Sequence, residues 1–230
     1  MNKGKRYINN LDKIDRDKDY SVDEAFDIIS NSSRTKFDES VDIAFSLGVD
    51  PRHADQLVRG TISLPHGSGK QSRVVVVTKD ENTKAAIDAG ADYAGSVDIL
   101  EKIKGGWLDF DVIVSTPDMM GELGKLGRVL GPRGLMPNPK TGTVTPNFEN
   151  AVKEIKAGKI SYRCDKYGVV HSTVGKVSFE KEKLIENFKS FYEAISKARP
   201  SSSKGTYMKK VTVSSTMGPG IKIDKNNIFS

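Results

Sequence analysis

The stretch RVVVVTKDENTKAAIDAGADYAGSVDILEKIKGGWLDFDVIVS, residues 73–115, decides the fold class of this chain. It begins with the aliphatic run Arg73–Val77 and ends with Asp111–Ser115, and such runs are typical of buried strands. Between them we predict a helix at residues 80–89, a short strand at residues 91–95 and a second helix at residues 97–103, and both helices close at glycines. Strand and helix therefore alternate, which predicts a parallel sheet with helices on both faces.

The same alternation continues to residue 159. The further predicted elements are a helix, a fourth short strand and a last helix, at Asp118–Leu130, Thr143–Thr145 and Asn147–Gly158. Within the first of these helices, Gly121, Gly124 and Gly127 are spaced by three, which is typical of close packing between helices.

The flanking segments follow other rules. Ser21 and Glu24 form a capping box that predicts a helix start. Residues 37–47 alternate apolar and polar side chains, as a half-buried strand does. Two apolar segments around Asp165–Gly168 predict a hairpin. The other elements predicted in the last third are an amphipathic helix and a final strand, at residues 184–195 and 211–214.

Neither flank has enough elements to close a core alone, and an amphipathic strand without a partner would leave its apolar face in water. We therefore predict an α+β sandwich domain whose largely antiparallel sheet is made from both chain ends, residues 1–67 and 160–230. A Rossmann-like α/β domain, residues 68–159, is inserted between them. The two connections, at residues 64–70 and 157–159, favour a hinge.

Composition limits the class of protein. With 37% hydrophobic and 29% charged residues over a length of 230, the chain has enough apolar residues for two modest cores. No aliphatic run exceeds Val74–Val77, and the first residues lack a secretory pattern, so we expect a cytoplasmic protein without a membrane partner. The single cysteine, Cys164, excludes an internal disulfide and is predicted to be a buried thiol.

The positive charge is concentrated in one part of the chain. Residues 1–70 carry 11 Lys and Arg against 12 Asp and Glu, residues 71–159 carry 12 against 12, and residues 160–230 carry 13 against 6. The surplus behind the net charge of +6 therefore lies in the last third. A basic surplus in one segment favours a polyanionic partner for that segment.

Residues 121–142 form a loop with an unusual composition. They hold six of the 21 glycines and three of the nine prolines, which predicts a defined loop shape. No carboxylate occurs between Glu122 and Glu149, so the cations of the loop have no opposing charge in the sequence. These cations are Lys125, Arg128, Arg133 and Lys140.

Three function classes stay open on the residues alone. A nucleotide-dependent enzyme has weak support, because Gly67–Lys70 resembles part of a P-loop but Leu64 stands where that loop needs a glycine. The histidines lack metal-ligand spacing and no nucleophile elbow occurs, so we expect no enzyme, metal or cofactor. The second class is a protein-interaction module. The third is RNA binding, favoured by hydroxyls, cations and flat side chains at predicted strand ends.

Several blocks of the chain, taken in order, resemble the L-one family of large-subunit ribosomal proteins, in its bacterial form. They are residues 116–120 and 126–140, 36–42, 47–52, 64–70, 165–168 and 214–220. The resemblance implies a structural, non-enzymatic constituent of the large subunit that binds 23S rRNA directly and forms the mobile stalk. It also implies that the protein assists release of deacylated tRNA from the exit site and represses translation of its own operon by binding the mRNA. Off the ribosome such a protein is a monomer.

The resemblance also implies site residues. The RNA-binding positions are Lys36, Phe37, Glu39, Ser40, Arg163, Asp165, Lys166, His171, Ser214, Thr216, Met217 and Gly218. Among these, Ser40 stands where the resemblance leads us to expect threonine in many relatives. The secondary RNA surface consists of Lys125, Arg128, Arg133 and Lys140.

Overall fold

The structure is a computed structural model that describes residues 4–32, 35–225 and 227–228. The helices are α1 (Lys5–Leu11), α2 (Val22–Ser30), α3 (Thr83–Asp88), α4 (Val97–Lys104), α5 (Met120–Lys125), α6 (Gly127–Leu130), α7 (Phe148–Lys156) and α8 (Lys181–Lys197). The strands are β1 (Ser40–Leu47), β2 (Arg59–Ser63), β3 (Val74–Val77), β4 (Tyr93–Gly95), β5 (Val112–Ser115), β6 (Lys159–Arg163), β7 (Val169–Lys176), β8 (Met208–Ser215) and β9 (Ile221–Ile223). Short 3-10 helices occupy Asp80–Asn82, Pro117–Met119 and Pro139–Thr141. Within the described ranges, no helix is long and apolar enough to cross a membrane.

Contacts between residues divide the chain into two compact units. Unit one consists of Met1–Gly69 and Ile160–Ser230, and unit two of Lys70–Lys159. That each unit is a domain able to fold by itself stays a prediction.

Unit one is built on a four-stranded antiparallel sheet with the order β7-β1-β8-β9. Strand β1, from the first part of the chain, lies between two strands from the last third. This confirms the predicted sheet from both chain ends. Helices α2 and α8 pack on one face of the sheet and against each other.

The core of unit one centres on Phe45 of β1, which is fully buried. Its ring lies 5.7 Å from that of Phe191 and 6.2 Å from that of Phe188, both in α8 and both stacked against it. The capping box at the start of α2 is confirmed: Glu24 N–H donates to Ser21 Oγ at 3.2 Å, and Ser21 N–H donates to the Glu24 carboxylate at 3.1 Å.

The predicted hairpin around Asp165–Gly168 is wrong in its strand pairing. Strand β6 pairs with β2 in a separate two-stranded sheet, while β7 pairs with β1. A single bridge, Cys164 to Val170, joins the two segments. Alternation identifies a strand but not its partner, because partners are chosen by contacts that are distant in sequence. The elements α1, β2 and β9 were not predicted.

The predicted strand of residues 37–47 begins later, at Ser40. The segment before it is a loop, and Asp38 holds this loop by accepting hydrogen bonds from Ser178 N–H at 3.2 Å and Ser178 Oγ at 2.8 Å. From Ser40 onward, the predicted alternation of buried and part-exposed residues is confirmed.

Unit two contains the parallel sheet, in the order β4-β3-β5, which confirms the predicted α/β unit. All four valines of β3 are fully buried. Successive side chains of a strand point to opposite faces, so Val75 and Val77 pack with α4, α5 and α6, whereas Val74 and Val76 pack with α3 and α7. The central strand is therefore covered on both faces.

The predicted helix Asp118–Leu130 is wrong in its continuity. It is divided into a 3-10 turn, α5 and α6, with a break at Leu126. A Cβ atom added at Gly121, Gly124 or Gly127 would meet no heavy atom within 4 Å. The spacing therefore does not serve close packing. Each glycine instead weakens the helix by about 1 kcal/mol relative to alanine, which favours the break.

The predicted strand Thr143–Thr145 is reduced to one parallel bridge, between Ser115 and Val144. The last predicted helix, in contrast, is confirmed as α7. It begins after Asn147, whose side chain accepts a hydrogen bond from Asn150 N–H at 3.5 Å.

Two carboxylates hold the start of β3, and we expect them to make unit two sensitive to acid. Asp92 accepts from Val74 N–H at 2.7 Å, and Asp111 accepts from Arg73 N–H at 3.0 Å. Burial alone would raise the pKa of each carboxylate. Hydrogen bonds and positive charge from Lys156 at Asp92 and from Lys70 at Asp111, together with the N–H groups, hold both pKa values below the ordinary value of 3.8.

A lowered pKa contributes stability that is present above the ordinary value and is lost as pH falls through the folded value. The unfolding temperature of unit two is followed by the fluorescence of the single tryptophan, Trp107. It should therefore decrease as the pH is lowered below about 3.8. The double variant Asp92→Asn, Asp111→Asn should show a flatter acid limb. An equally steep limb in that variant would contradict the assignment.

Candidate nucleic-acid interface

The polar side chains of unit one meet on the face of the sheet opposite α2 and α8, which we call the open face. The residues of this face are Ser40, Asp42, Ala44, Ser46, His171, Thr173, Thr212 and Ser214. They stand in rows across the strands. His171, Ala44 and Thr212 form one row, and Thr173, Asp42 and Ser214 form the next.

At one end of the open face, Thr216 joins β8 to the start of β1. Its Oγ1 accepts from Ser40 N–H at 2.9 Å and lies 3.3 Å from Ser40 O, to which it can donate. The Thr216 N–H also donates to Ser40 O at 3.0 Å. Lys176 Nζ donates to Ser40 Oγ at 2.9 Å, which brings a cation to the same end of the sheet.

Glu39 lies beneath this end and is 5% exposed. Its carboxylate accepts from Met217 N–H at 3.1 Å and Thr35 N–H at 3.2 Å, and Arg6 Nη1 lies 3.5 Å away. Burial alone would raise the pKa of Glu39, but hydrogen bonds from Ser215, Met217 and Thr35 and the charge of Arg6 hold it below its ordinary value. The structure therefore gives Glu39 a supporting position: it ties the loop before β1 to the end of β8.

The residues that Glu39 supports are presented to solvent. Phe37 is 56% exposed and Met217 is 52% exposed. Both are large apolar side chains that do not belong to the core. Lys36 makes no ion pair with any residue that the structure describes. A Cβ atom at Gly218 would lie 2.5 Å from Ser215 Oγ, so a larger residue could not follow this turn unchanged. A cleft of about 290 Å³ lies here, lined by residues 35–39 and their neighbours.

The other end of the open face is the turn Asp165–Gly168. The Asp165 carboxylate accepts from Tyr167 N–H and from Val169 N–H, both at 2.8 Å, and Gly168 takes a φ of 80°. Burial alone would raise the pKa of Asp165, but these hydrogen bonds and nearby His171, whose Nε2 lies 3.8 Å away, hold it low. Asp165 therefore shapes the turn and faces the row of His171.

This turn also presents a cation and a ring. Lys166 Nζ lies 5.0 Å from the centre of the Tyr167 ring, which is 75% exposed. Arg163 is exposed at the end of β6. Cys164, as predicted, is buried, and burial together with the charge of Asp165 raises the pKa of its thiol.

The predicted site residues, apart from Arg163, thus lie at two ends of one sheet. Lys36, Phe37, Glu39, Ser40, Ser214, Thr216, Met217 and Gly218 gather at the first end, and Asp165, Lys166 and His171 at the second. Arg163 ends strand β6 of the two-stranded sheet, just before the turn at the second end. Strand β7 runs from the turn to Lys176 beside Ser40 and so joins the two ends.

Sequence reasoning missed the residues between the two ends. They are Asp42, Thr173 and Thr212. Sequence reasoning also missed Lys176 at the first end and Tyr167 in the turn at the second. Thr173 Oγ1 donates to Asp42 at 2.6 Å, which orders the centre of the open face. The polar positions of the alternating strands indicated which residues face solvent, but without the register they could not be placed side by side.

The predicted secondary surface lies in unit two. Lys125 is paired with Glu122 at 2.8 Å, so the prediction of unopposed charge is wrong for this residue. Arg128, Arg133 and Lys140 are exposed, and none has a carboxylate partner among the residues that the structure describes. Gly134 and Gly142 take φ values of 71° and 66°, conformations that favour glycine and give the loop its shape.

The places where a nucleotide-dependent enzyme or a metal protein would have its site can also be described. At the carboxyl edge of the parallel sheet, where nucleotides bind in open α/β folds, an ion pair of 3.1 Å joins Lys79 to Asp118. The segment after β3 contains no glycine before Gly90. Among the described side chains, no group of three or more His, Cys, Asp or Glu could hold a metal ion.

A comparison with protein families adds an independent finding. The model of the family described as "Ribosomal protein L1p/L10e family" matches residues 29–219, more than four fifths of the chain. The matched range contains the whole open face, both of its ends and the glycine-rich loop of unit two.

Proposed function

The chain belongs to the ribosomal protein L1p/L10e family, and on that premise we propose that the open face of unit one is the surface that holds ribosomal RNA. Membership confirms the resemblance of the sequence motifs. It makes the chain a structural component of the large ribosomal subunit that binds rRNA, located on the ribosome in the cytoplasm. The family is structural and non-enzymatic.

One observation supports the open face above other surfaces: the strand register aligns hydroxyls, His171 and a carboxylate in rows between two ends that carry cations. A-form RNA presents a wide, shallow minor groove of 2′-hydroxyls, which suits a flat polar surface. The four-stranded sheet spans roughly 14 Å between its outer strands, enough to lie along such a groove. Lys36, Lys166 and Lys176 would neutralise phosphates at its ends.

We propose that the rRNA segment is the stalk region of 23S rRNA. The same surface would bind the chain's own operon mRNA wherever that mRNA adopts a similar shape. Because one surface cannot hold two RNAs, free rRNA would compete with the message. Translation of the operon would then be repressed only when the protein is in excess over rRNA.

The cations of unit two support a second contact. Arg128, Arg133 and Lys140 are unpaired among the described residues and lie on a shaped loop, so they would attract a phosphate backbone. We propose that this loop meets the tRNA in the exit site and assists its release. Off the ribosome the chain would be a monomer.

One experiment separates this proposal from its rivals. The intact protein is purified from cells at moderate salt, and the RNA that stays bound is sequenced. We expect a single segment of large-subunit rRNA. A nucleotide-dependent enzyme would instead show saturable nucleotide binding, and a protein-interaction module would retain only weakly bound RNA of mixed sequence. Either outcome would overturn the proposal.

Thr216→Val tests the end of the open face where β8 meets β1. The variant keeps the β-branched shape but loses the hydroxyl that bonds to the Ser40 backbone and faces solvent. A neutral hydrogen bond contributes about 1 kcal/mol, so affinity for the rRNA segment should fall roughly five-fold in a filter-binding assay. Thr206→Val, in an exposed loop of the same unit, is the matched control. Unchanged binding with a normal circular dichroism spectrum would remove Thr216 from the site.

A further inference from the structure

Unit two contains a groove that the proposed function does not use. It has a volume of about 560 Å³ and lies beside the edge strand β4, between α3 and α4. Its wall includes Ile87, Tyr93, Ala94, Ile99, Lys102 and Trp107. The volume falls within the range of small-molecule sites, and a mostly apolar wall with a few polar groups is typical of them.

Local sequence rules place the tryptophan at this wall. Helix α4 ends in a Schellman motif, in which Gly106 N–H donates to Ile103 O and Trp107 N–H donates to Lys102 O, both at 3.0 Å. Gly106 takes a φ of 98°, which favours glycine. The motif turns the chain back at the end of the helix, so the backbone of Trp107 is held at the C-terminus of α4.

Two aromatic rings form one side of the groove. The ring centres of Tyr93 and Trp107 lie 4.9 Å apart in an edge-to-face arrangement, and Trp107 also packs at 5.3 Å from Phe110 in the core. Tyr93 remains 45% exposed. The core thus positions the indole of Trp107, and the indole packs against the partly exposed ring of Tyr93.

The charges that line the groove favour an anion. The carboxylate of Asp92 is neutralised by Lys156 at 2.6 Å and also accepts from Val74 N–H. Lys102 makes no ion pair with any residue in the described ranges, although Asp98 stands one turn before it on α4. The unpaired charge on the wall is therefore the ammonium group of Lys102.

We propose that this groove binds an unpaired nucleotide of an RNA strand, with its base against Tyr93 and its phosphate at Lys102. Every base has a flat face that stacks on an aromatic ring, and a nearby cation neutralises the backbone. An apolar peptide would leave Lys102 without a partner, and a base-paired strand could not release a base into the groove. This contact is separate from the open face, which is a flat surface suited to a helix.

The single tryptophan makes the test direct, because Trp107 lines the groove and no other tryptophan contributes to the fluorescence. The full chain is titrated with a short single-stranded oligoadenylate and, separately, with a short RNA duplex. We expect saturable quenching by the single strand and none by the duplex. Base–aromatic stacking contributes about 1–3 kcal/mol, so Tyr93→Leu should weaken the affinity by about 5- to 150-fold.

The control variants separate this site from simple charge attraction. Lys102→Gln should weaken the quenching, whereas Lys104→Gln, at an exposed lysine of the same helix outside the groove, should not. Thr216→Val should leave the quenching unchanged, so failure of this inference and failure of the open-face proposal are distinguishable. Absence of quenching, equal effects of the two lysine variants, or quenching by an apolar peptide but not by oligoadenylate would each overturn the inference.

Discussion

Replacing Glu39 by alanine is expected to weaken binding of the rRNA segment by roughly 10- to 100-fold, the largest effect of any single change near the open face. The carboxylate of Glu39 accepts from Met217 N–H and Thr35 N–H and lies close to Arg6. Each hydrogen bond to a charged group contributes about 1.5–3 kcal/mol. Without these hydrogen bonds, the loop that carries Lys36 would no longer be held against the end of β8.

The effect should be confined to this end of the sheet. Affinity is measured by filter binding, and the fold by circular dichroism and thermal unfolding. Glu193→Ala is the matched control, because Glu193 is an exposed carboxylate of α8 whose one ion pair among the described residues is with Lys197, and such surface pairs contribute little. If Glu39→Ala bound RNA within two-fold of the parent protein, Glu39 would not organise the site.

Phe45→Ala is expected to lower the free energy of unfolding of unit one by about 3–5 kcal/mol. The ring is fully buried at the centre of β1 and is contacted by Phe188, Phe191 and Tyr192. Its removal leaves a cavity that the stacked rings of α8 cannot fill without moving. A loss of this size is a large part of the stability of a typical domain.

Urea unfolding followed by circular dichroism measures this loss, and Trp107 provides an internal control. Because Trp107 belongs to unit two, its fluorescence transition should not shift if the units unfold separately. Phe45→Leu, which keeps most of the apolar volume, should cost about 1.5 kcal/mol or less. A loss below about 1.5 kcal/mol in Phe45→Ala would show that the centre of the core has been misassigned.

The parallel sheet of unit two could be predicted because its evidence is local. Four consecutive β-branched valines favour a strand buried on both faces, and β3 is covered on both faces. The broken helix after β5 was missed. Residues 118–130 have helical periodicity, and the outcome depended on whether anything packed against Gly121, Gly124 and Gly127.

The candidate site was predictable as a set of residues but not as a surface. The family motifs picked out Ser40, Thr216 and His171, but neither motif nor periodicity indicates that His171 stands opposite Ala44. The misassigned hairpin has the same origin. Cys164 and Val170 form one bridge, while their strands take other partners from the first third of the chain.

The sequence by itself determined the main strands and helices of both units, where charge accumulates and which family the chain belongs to, because each depends on neighbouring residues or on ordered motifs. Only the tertiary structure decided the rows of the open face, the burial of Glu39 beneath its end and the pairing of Lys125 with Glu122. Strand register, burial and ion pairing come from contacts that form when the chain folds. These contacts decide which strand or charged residue becomes the partner, and the local sequence does not distinguish between the possible partners.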